Sequence, residues 1–240
     1  MSRSWRSSIR EVVLIFVGIT LALFFENWNE ERLQRSQERE LVAQVLDDLR
    51  ETHQELLRSD LPNQEWAKDA HRRIMESVYG GSIIEPDSID VDFGRLLSNG
   101  SRLYPQAAGY ESLKAVGVDI IADDSVRLAV TGFYERYLGR VAVAETRLLD
   151  SQERSLELYM VEHFQNRRPW RVGSDVGRNE ARSFYPRDLD ALRRDPSFRL
   201  LMDRNEQDRA RLLNAYRVTE GTLESLIELL SQRYDLGGAL

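Results

Sequence analysis

An all-α fold is expected, with an N-terminal transmembrane helix continuing into a long-helix antiparallel bundle. Three observations in the sequence predict it. An uncharged apolar run lies near the start, apolar residues recur at 3-4 spacing through most of the remainder, and no segment alternates for long enough to demand a sheet.

The apolar run comes first. Met1 to Arg10 carries Arg3, Arg6 and Arg10 among serines, Val12 to Phe25 holds no charge, and Glu26-Asn-Trp-Asn-Glu-Glu31 closes the stretch. Fourteen uncharged positions are short for a span, but the reach from Ile9 to Trp28 is 20 positions. At about 1.5 Å per residue that length matches the roughly 30 Å of hydrocarbon in a bilayer. Arg10, Glu11 and Glu26 then lie near enough to the ends to reach headgroups, and Trp5 and Trp28 fall near the two interfaces, where indole is favoured. Three readings compete for this stretch: an uncleaved anchor, a cleaved secretory signal and a buried core helix. A cleaved signal should end in small residues, which Phe24-Phe25-Glu26-Asn27-Trp28 does not offer, and a core helix should have a polar side, which this one lacks. The anchor is the favoured reading. Arg3, Arg6, Arg10 and the α-amino group slightly outweigh the acid-diluted Arg32, Arg35 and Arg39, which favours a cytoplasmic N-terminus. Gly18 and Ala22, four apart, form a small-residue face on which another helix could approach closely, against the favoured plainer reading of ordinary glycine and alanine content in a membrane helix.

Helical spacing resumes beyond the run. Val42, Val45, Leu49, Thr52 and Leu56 follow 3-4-3-4 steps, with Leu41 and Leu46 widening the stripe. No Pro or Gly interrupts Asn29 to Leu61, so the spanning helix is expected to continue as one rod up to Pro62. A second piece has Trp66, Ala70, Ile74 and Val78 at four-residue steps and ends at Gly80-Gly81. The chain from Ser82 to Tyr110 is punctuated by Pro86, Gly94, Asn99-Gly100, Pro105 and Gly109. Within it Asp87 to Phe93 reads as a strand or a capped turn, the turn being preferred, ahead of a short helix near Phe93–Leu97. Tyr110 to Gly117 reads as one or two helical turns closed by glycine. Asp123 or Asp124 is then placed to cap a helix of about 40 residues carrying Val126, Val130, Phe133, Tyr134, Tyr137, Val141, Leu148, Leu156, Tyr159 and Phe164. Gln165 to Arg187 is a polar, Arg-rich linker. A last block starts near Asp188, restarts at Asp195-Pro196 with Pro at the first helical position, and runs to about Tyr234. The expected organisation is an N-terminal tail over 1–10 in the cytoplasm, a transmembrane helix over 11–28, a helical soluble domain over 29–235 and a flexible tail over 236–240.

Composition excludes several chemistries. The 240-residue chain has no cysteine, hence no disulfide framework, thiolate metal site or cysteine nucleophile. A formal net charge of −7 argues against nucleic acid as a partner, because phosphate neutralisation needs a basic field. Only Lys68 and Lys114 are lysines; the arginines are scattered among acids rather than massed on one face, so their excess reads as compositional bias. His53, His71 and His163 sit on separate helical segments without H-E-x-x-H spacing, and no nucleophile elbow or phosphate-binding loop is present. Neighbouring acids such as Asp47-Asp48 do not face each other on a helix and make poor acid–base pairs. Catalytic, cofactor and metal residues are therefore expected to be none. The compact basic-aromatic loop Arg167-Arg168-Pro169-Trp170-Arg171 is a candidate contact for anionic lipid or a partner, against the plainer reading of an exposed linker.

The run Val13 to Arg32 with its Asn27-Trp28-Asn29-Glu30-Glu31-Arg32 junction, then Glu40 to Leu49, resembles the start of an uncharacterised bacterial family of single-pass membrane proteins. Gly109 to Gly117 and the Phe133-Tyr-Glu-Arg-Tyr137 helix are similar to the middle of that family. The resemblance implies one N-terminal membrane helix and a helical soluble domain, and carries no catalytic residue over. Together these readings predict a non-enzymatic, membrane-anchored helical protein of the bacterial inner membrane, its soluble domain periplasmic. Its role would be an accessory or scaffolding subunit of a larger membrane complex, for instance respiratory or photosynthetic. Membrane lipid and a transmembrane or peripheral protein are the expected partners. The alternative is an extracytoplasmic sensory or ligand-binding helical bundle.

Overall fold

The computed structural model describes residues 3–80, 91–94, 96, 102–166 and 184–236, with the side chains of 3–13, 15 and 166 outside that description. Its framework is three long helical rods. The first begins with α1 (Arg3–Glu55). A widened π-helical turn at Leu56–Asp60 follows, in which the N–H of Leu61 donates to the carbonyl of Leu56, and the chain continues as α2 (Leu61–Tyr79). Glu55, Asp60 and Leu61 all keep helical dihedrals. The rod therefore does not stop at Pro62, as the sequence suggested: the missing proline N–H falls where the bonding pattern is already shifted by a residue, so a local bulge replaces a break.

The second rod runs from Asp124 to His163, the length expected. It consists of α4 (Asp124–Gly132), α5 (Leu138–Ser151) and α6 (Glu157–His163), joined by π-helical turns at Phe133–Tyr137 and Gln152–Leu156. Asp123 is its N-cap, Oδ1 accepting the N–H of Ser125 at 2.9 Å and of Val126 at 3.3 Å. Between the rods lies α3 (Ala108–Val116), closed by Gly117 at φ 114°, a left-handed value that glycine adopts without strain. After α7 (Leu189–Arg194), capped by Asp188, the third rod α8 (Pro196–Arg233) starts on the Asp195 cap with proline in its first turn. One feature departs from the expected linker. Phe164–Asn166 (β1) and Phe184–Pro186 (β2) pair antiparallel, Gln165 opposite Tyr185. Strands of three residues are too short for alternation to reveal them.

The first two rods run parallel and α8 runs antiparallel to both. At one end Glu38 meets Ala122 and Tyr234, and Arg233 meets Asp123; at the other, Tyr159 meets Asp195 and His71 meets Met202. Two apolar clusters fill the interior. The larger holds Leu41, Val42, Val45, Leu46, Leu49 and Leu56 of the first rod, against Val126, Val130, Phe133, Val141 and Leu148 of the second and Leu212, Tyr216, Leu223, Leu226 and Leu230 of the third. The smaller closes the far end around Ile74, Val78, Phe93, Leu156, Phe164, Phe198 and Met202. The stripe expected on α2 is rotated slightly: Ala70, Ile74 and Val78 are buried, but Trp66 is exposed and Ala67 takes the core position. Phe93 falls in a helical piece at 91–94, as expected, while residues 87–90 lie outside the described residues.

Candidate functional site

The N-terminal part of α1 stands apart from the bundle over the residues whose side chains are described. From Phe16 to Gln37 every residue is exposed, and the body begins only at Glu38. The exposed residues include Leu14, Phe16, Val17, Ile19, Leu21, Leu23, Phe24, Phe25 and Trp28, at 48–73% of their full accessibility. At 100° per residue, positions 16, 17, 19, 21, 23, 24 and 25 cover all but a 120° sector of the helix, which Gly18 and Ala22 fill, so no polar face is left to turn toward water. Burying a large apolar side chain is worth about 1.5–3 kcal/mol, so this arm forgoes on the order of 10 kcal/mol when uncovered. Exposed apolar patches of this size mark an interaction surface. Thr20, the sole hydroxyl within the run, donates from Oγ1 to the carbonyl of Phe16 at 2.9 Å, so its polarity is met inside the helix. Gly18 and Ala22 lie exposed on one face of the arm, and a Cβ on Gly18 would meet nothing within 4 Å. Trp28 stands at the arm's inner end, 54% exposed. The side chain of Trp5, and Arg167, Arg168, Trp170 and Arg171 entirely, lie outside the described residues. Among the described residues no helix is long and apolar enough to cross a membrane.

A polar clasp fixes the root of the arm, about ten residues or roughly 15 Å beyond Trp28. The buried carboxylate of Glu38 accepts the Ala122 N–H at 3.0 Å and the hydroxyl of Tyr234. Arg39 donates to the carbonyl of Asp235 at 3.2 Å, and Arg233 pairs with Asp123 at 2.9 Å. Burial and the Glu38 carboxylate raise the Tyr234 phenol well above its usual value, so it stays a donor. Hydrogen bonds from Val126 and Ser125, together with Arg233, hold the Asp123 carboxyl below its ordinary range. The clasp thus joins the arm to the start of the second rod and the end of the third.

Further inside, buried and half-buried polar side chains hold Leu96 and the stretch 103–109 that leads into α3, where residues 102–107 belong to neither helix nor strand. Glu145 Oε1 accepts the Leu103 N–H at 2.7 Å and the Tyr216 hydroxyl at 2.8 Å. Thr52 Oγ1 accepts the Gln106 N–H at 2.9 Å, and Asp48 Oδ2 that of Gly109 at 2.6 Å. Arg209, almost fully enclosed, donates to Gln64 Oε1 and to the Leu96 carbonyl, which also receives Gln152 Nε2 at 2.8 Å. Burial brings its guanidinium down to about 10, which leaves it charged at neutral pH. These groups satisfy backbone rather than facing a cleft. Phe133, Tyr134 and Tyr110 are buried in the core, Tyr110 stacking on Tyr134 at 4.1 Å and Phe133 meeting Tyr134 edge-on at 5.2 Å, while Tyr137 is half-buried.

Of the three histidines, His71 binds the Met202 carbonyl and His163 stacks on Tyr159. His53 faces Glu220 and Glu224 of α8, its donor atom and theirs all within 4.8 Å of one another. The sequence reading did not single out this trio. The signal available was the four-residue step from Glu220 to Glu224, which puts both on one helix face; the histidine opposite follows only from the antiparallel register. Comparison with family models, with curated proteins and with solved structures returns no match.

Proposed function

We propose that the protein is a non-enzymatic, single-pass membrane protein whose α1 arm lies in lipid and whose helical bundle is an accessory or scaffolding part of a larger membrane complex. The observation that carries this reading is the arm: apolar on every side, exposed, and continuous with a helix that enters the core. A groove on a partner covers one side of a helix, whereas hydrocarbon covers all of them. With its upper end at Trp28 and its lower end among Arg3, Arg6 and Arg10, the arm suits a cytoplasmic N-terminus and a periplasmic body in a bacterial inner membrane. Gly18 and Ala22 supply the face for a second helix. The bacterial setting and the single span also follow from the resemblance to the uncharacterised family.

The test is alkaline carbonate extraction of membranes from cells expressing the full chain. The protein should stay in the pellet at its full length, and Ile19→Arg with Leu21→Arg should release it. Each arginine at mid-span costs about 2.5–3.5 kcal/mol, roughly cancelling the insertion energy of the whole run. Release of the unaltered chain by carbonate, or recovery of a product trimmed of its arm, overturns the reading. Protease access to residues beyond 38 in sealed spheroplasts tests the orientation.

A further inference from the structure

We infer that His53, Glu220 and Glu224 form a binding site for a divalent transition metal of the zinc type, clipping α1 to α8. The inference is independent of the membrane reading. Glu220 and Glu224 are one helical turn apart on α8, so both carboxylates point to the same side, and that side meets α1 at His53. The imidazole Nε2 is shielded from solvent, has no hydrogen-bond partner among the described residues, and lies at ion-pair distance, 3.8 Å, from Glu224 Oε1. Among the described residues Glu220 has no hydrogen-bond or ion-pair partner either. A nitrogen shielded from water whose polar neighbours are carboxylates beyond hydrogen-bond reach is a costly arrangement, which a cation bound between them would relieve.

The dimensions fit. Zinc binds imidazole nitrogen at about 2.0–2.1 Å and carboxylate oxygen at about 2.0–2.2 Å, so neighbouring tetrahedral ligands sit about 3.3 Å apart. The trio, within 4.8 Å, needs a small contraction, which the exposed and flexible Glu224 can supply. The donor set selects the metal class. One borderline nitrogen and two carboxylates suit zinc or cobalt, whereas calcium wants six to eight oxygens and magnesium keeps a shell of water. Two carboxylates and a neutral imidazole place a charge of about −2 opposite a dication, and three protein ligands leave a fourth position for water. Because the ligands come from the arm-bearing helix and from α8, the ion would bind only the assembled bundle and would stabilise it.

The experiment uses the tag-free full chain in detergent, stripped with chelator and titrated with Zn²⁺ against a chromophoric competitor. One Zn²⁺ per chain is expected, with a rise in the thermal midpoint. Co²⁺ should give the visible absorption of a low-coordinate site. His53→Gln and Glu224→Gln should each weaken Zn²⁺ binding at least about tenfold and abolish the thermal shift. Glu224 is largely exposed, so its variant tests the site even where the histidine variant folds poorly. Lack of stoichiometric binding at about 100 µM Zn²⁺, or an affinity unchanged in Glu224→Gln, overturns the inference.

Discussion

Gly109 is the point where α3 crosses α1 most closely, and replacing it by alanine has a calculable consequence. A Cβ there would lie 2.6 Å from the Gln44 carbonyl carbon and the Val45 nitrogen, and 2.8 Å from the Gln44 oxygen. These are backbone atoms of a helix whose next turns are buried through Val45, Leu46 and Leu49, so no side chain can swing aside. Relief requires the two helices to separate by about 1 Å, the shortfall from ordinary van der Waals contact. That movement loosens Tyr110 and Leu113 against α1 and stretches the 2.6 Å bond from the Gly109 N–H to Asp48. Overpacking costs about 1–3 kcal/mol, and weakening a hydrogen bond to a charged group adds to it, so the expected loss is about 3 kcal/mol. For a body of this size that is roughly 6–12 °C in thermal midpoint, read by far-ultraviolet circular dichroism on the full chain in detergent. Gly132→Ala and Gly139→Ala serve as controls, since nothing lies within 4 Å of a Cβ at either helical position. Each should gain about 0.4–1 kcal/mol. Gly109→Ala within about 0.5 kcal/mol of the parent would refute the close crossing.

Burial raises the Glu145 carboxyl above its ordinary 4.5, against the downward pull of the Leu103 N–H and the Tyr216 hydroxyl. The folded chain therefore keeps a proton over a window in which the unfolded chain has lost it, and stability falls as pH climbs from about 4.5 through the raised midpoint. Glu145→Gln has no such proton, so its urea stability relative to the parent should improve from pH 4.5 to 7; a flat or declining difference counts against the burial. Asn205 is fully buried and neither amide atom is hydrogen-bonded among the described residues, so Asn205→Leu should raise urea stability by about 1–3 kcal/mol, and a loss would reveal a polar partner at that position. Removing residues 234–240 deletes the Tyr234 hydroxyl from Glu38 and the Asp235 carbonyl from Arg39. Amide exchange at 38–42 should then speed up by about tenfold, corresponding to roughly 1.4 kcal/mol of lost local protection, with unchanged rates showing that the clasp does not hold the arm.

The long elements were legible because their signals are periodic and local. The stripe from Val42 to Leu56 is buried throughout, and Asp123, Asp188 and Asp195 cap the helices that follow them. Legibility failed where one bond decides the outcome. Pro62 reads as a stop in any one-dimensional scan, yet a single residue of extra backbone in the preceding turn carries the helix past it. Trp66 fits a four-residue stripe as well as Ala67 does, and only the direction of α8 tells which side is inside. The arm was visible as composition, but its isolation from the body is a tertiary fact. The grouping of His53 with Glu220 and Glu224 was hidden for a similar reason, since it depends on a register between helices 167 residues apart along the chain.

The continuity of α1 bears on what kind of part this protein can be. A catalytic or binding module needs only to be kept near a membrane, and a flexible tether does that at little cost in stability. Here the same helix that carries Leu14 to Phe25 also supplies Leu41 to Leu49 to the core, with no glycine or proline between. An unbroken helix transmits direction as well as position, so whatever fixes the arm fixes the bundle's orientation too. On the proposed reading, a partner helix seated on Gly18 and Ala22 would set the angle at which the whole bundle stands, and the clasp at Glu38, Asp123 and Tyr234 keeps the first and last rods from shearing against that angle. Rigidity of this kind has a use in holding neighbours at a set distance, which is why the arm and the body argue for scaffolding more strongly together than either does alone.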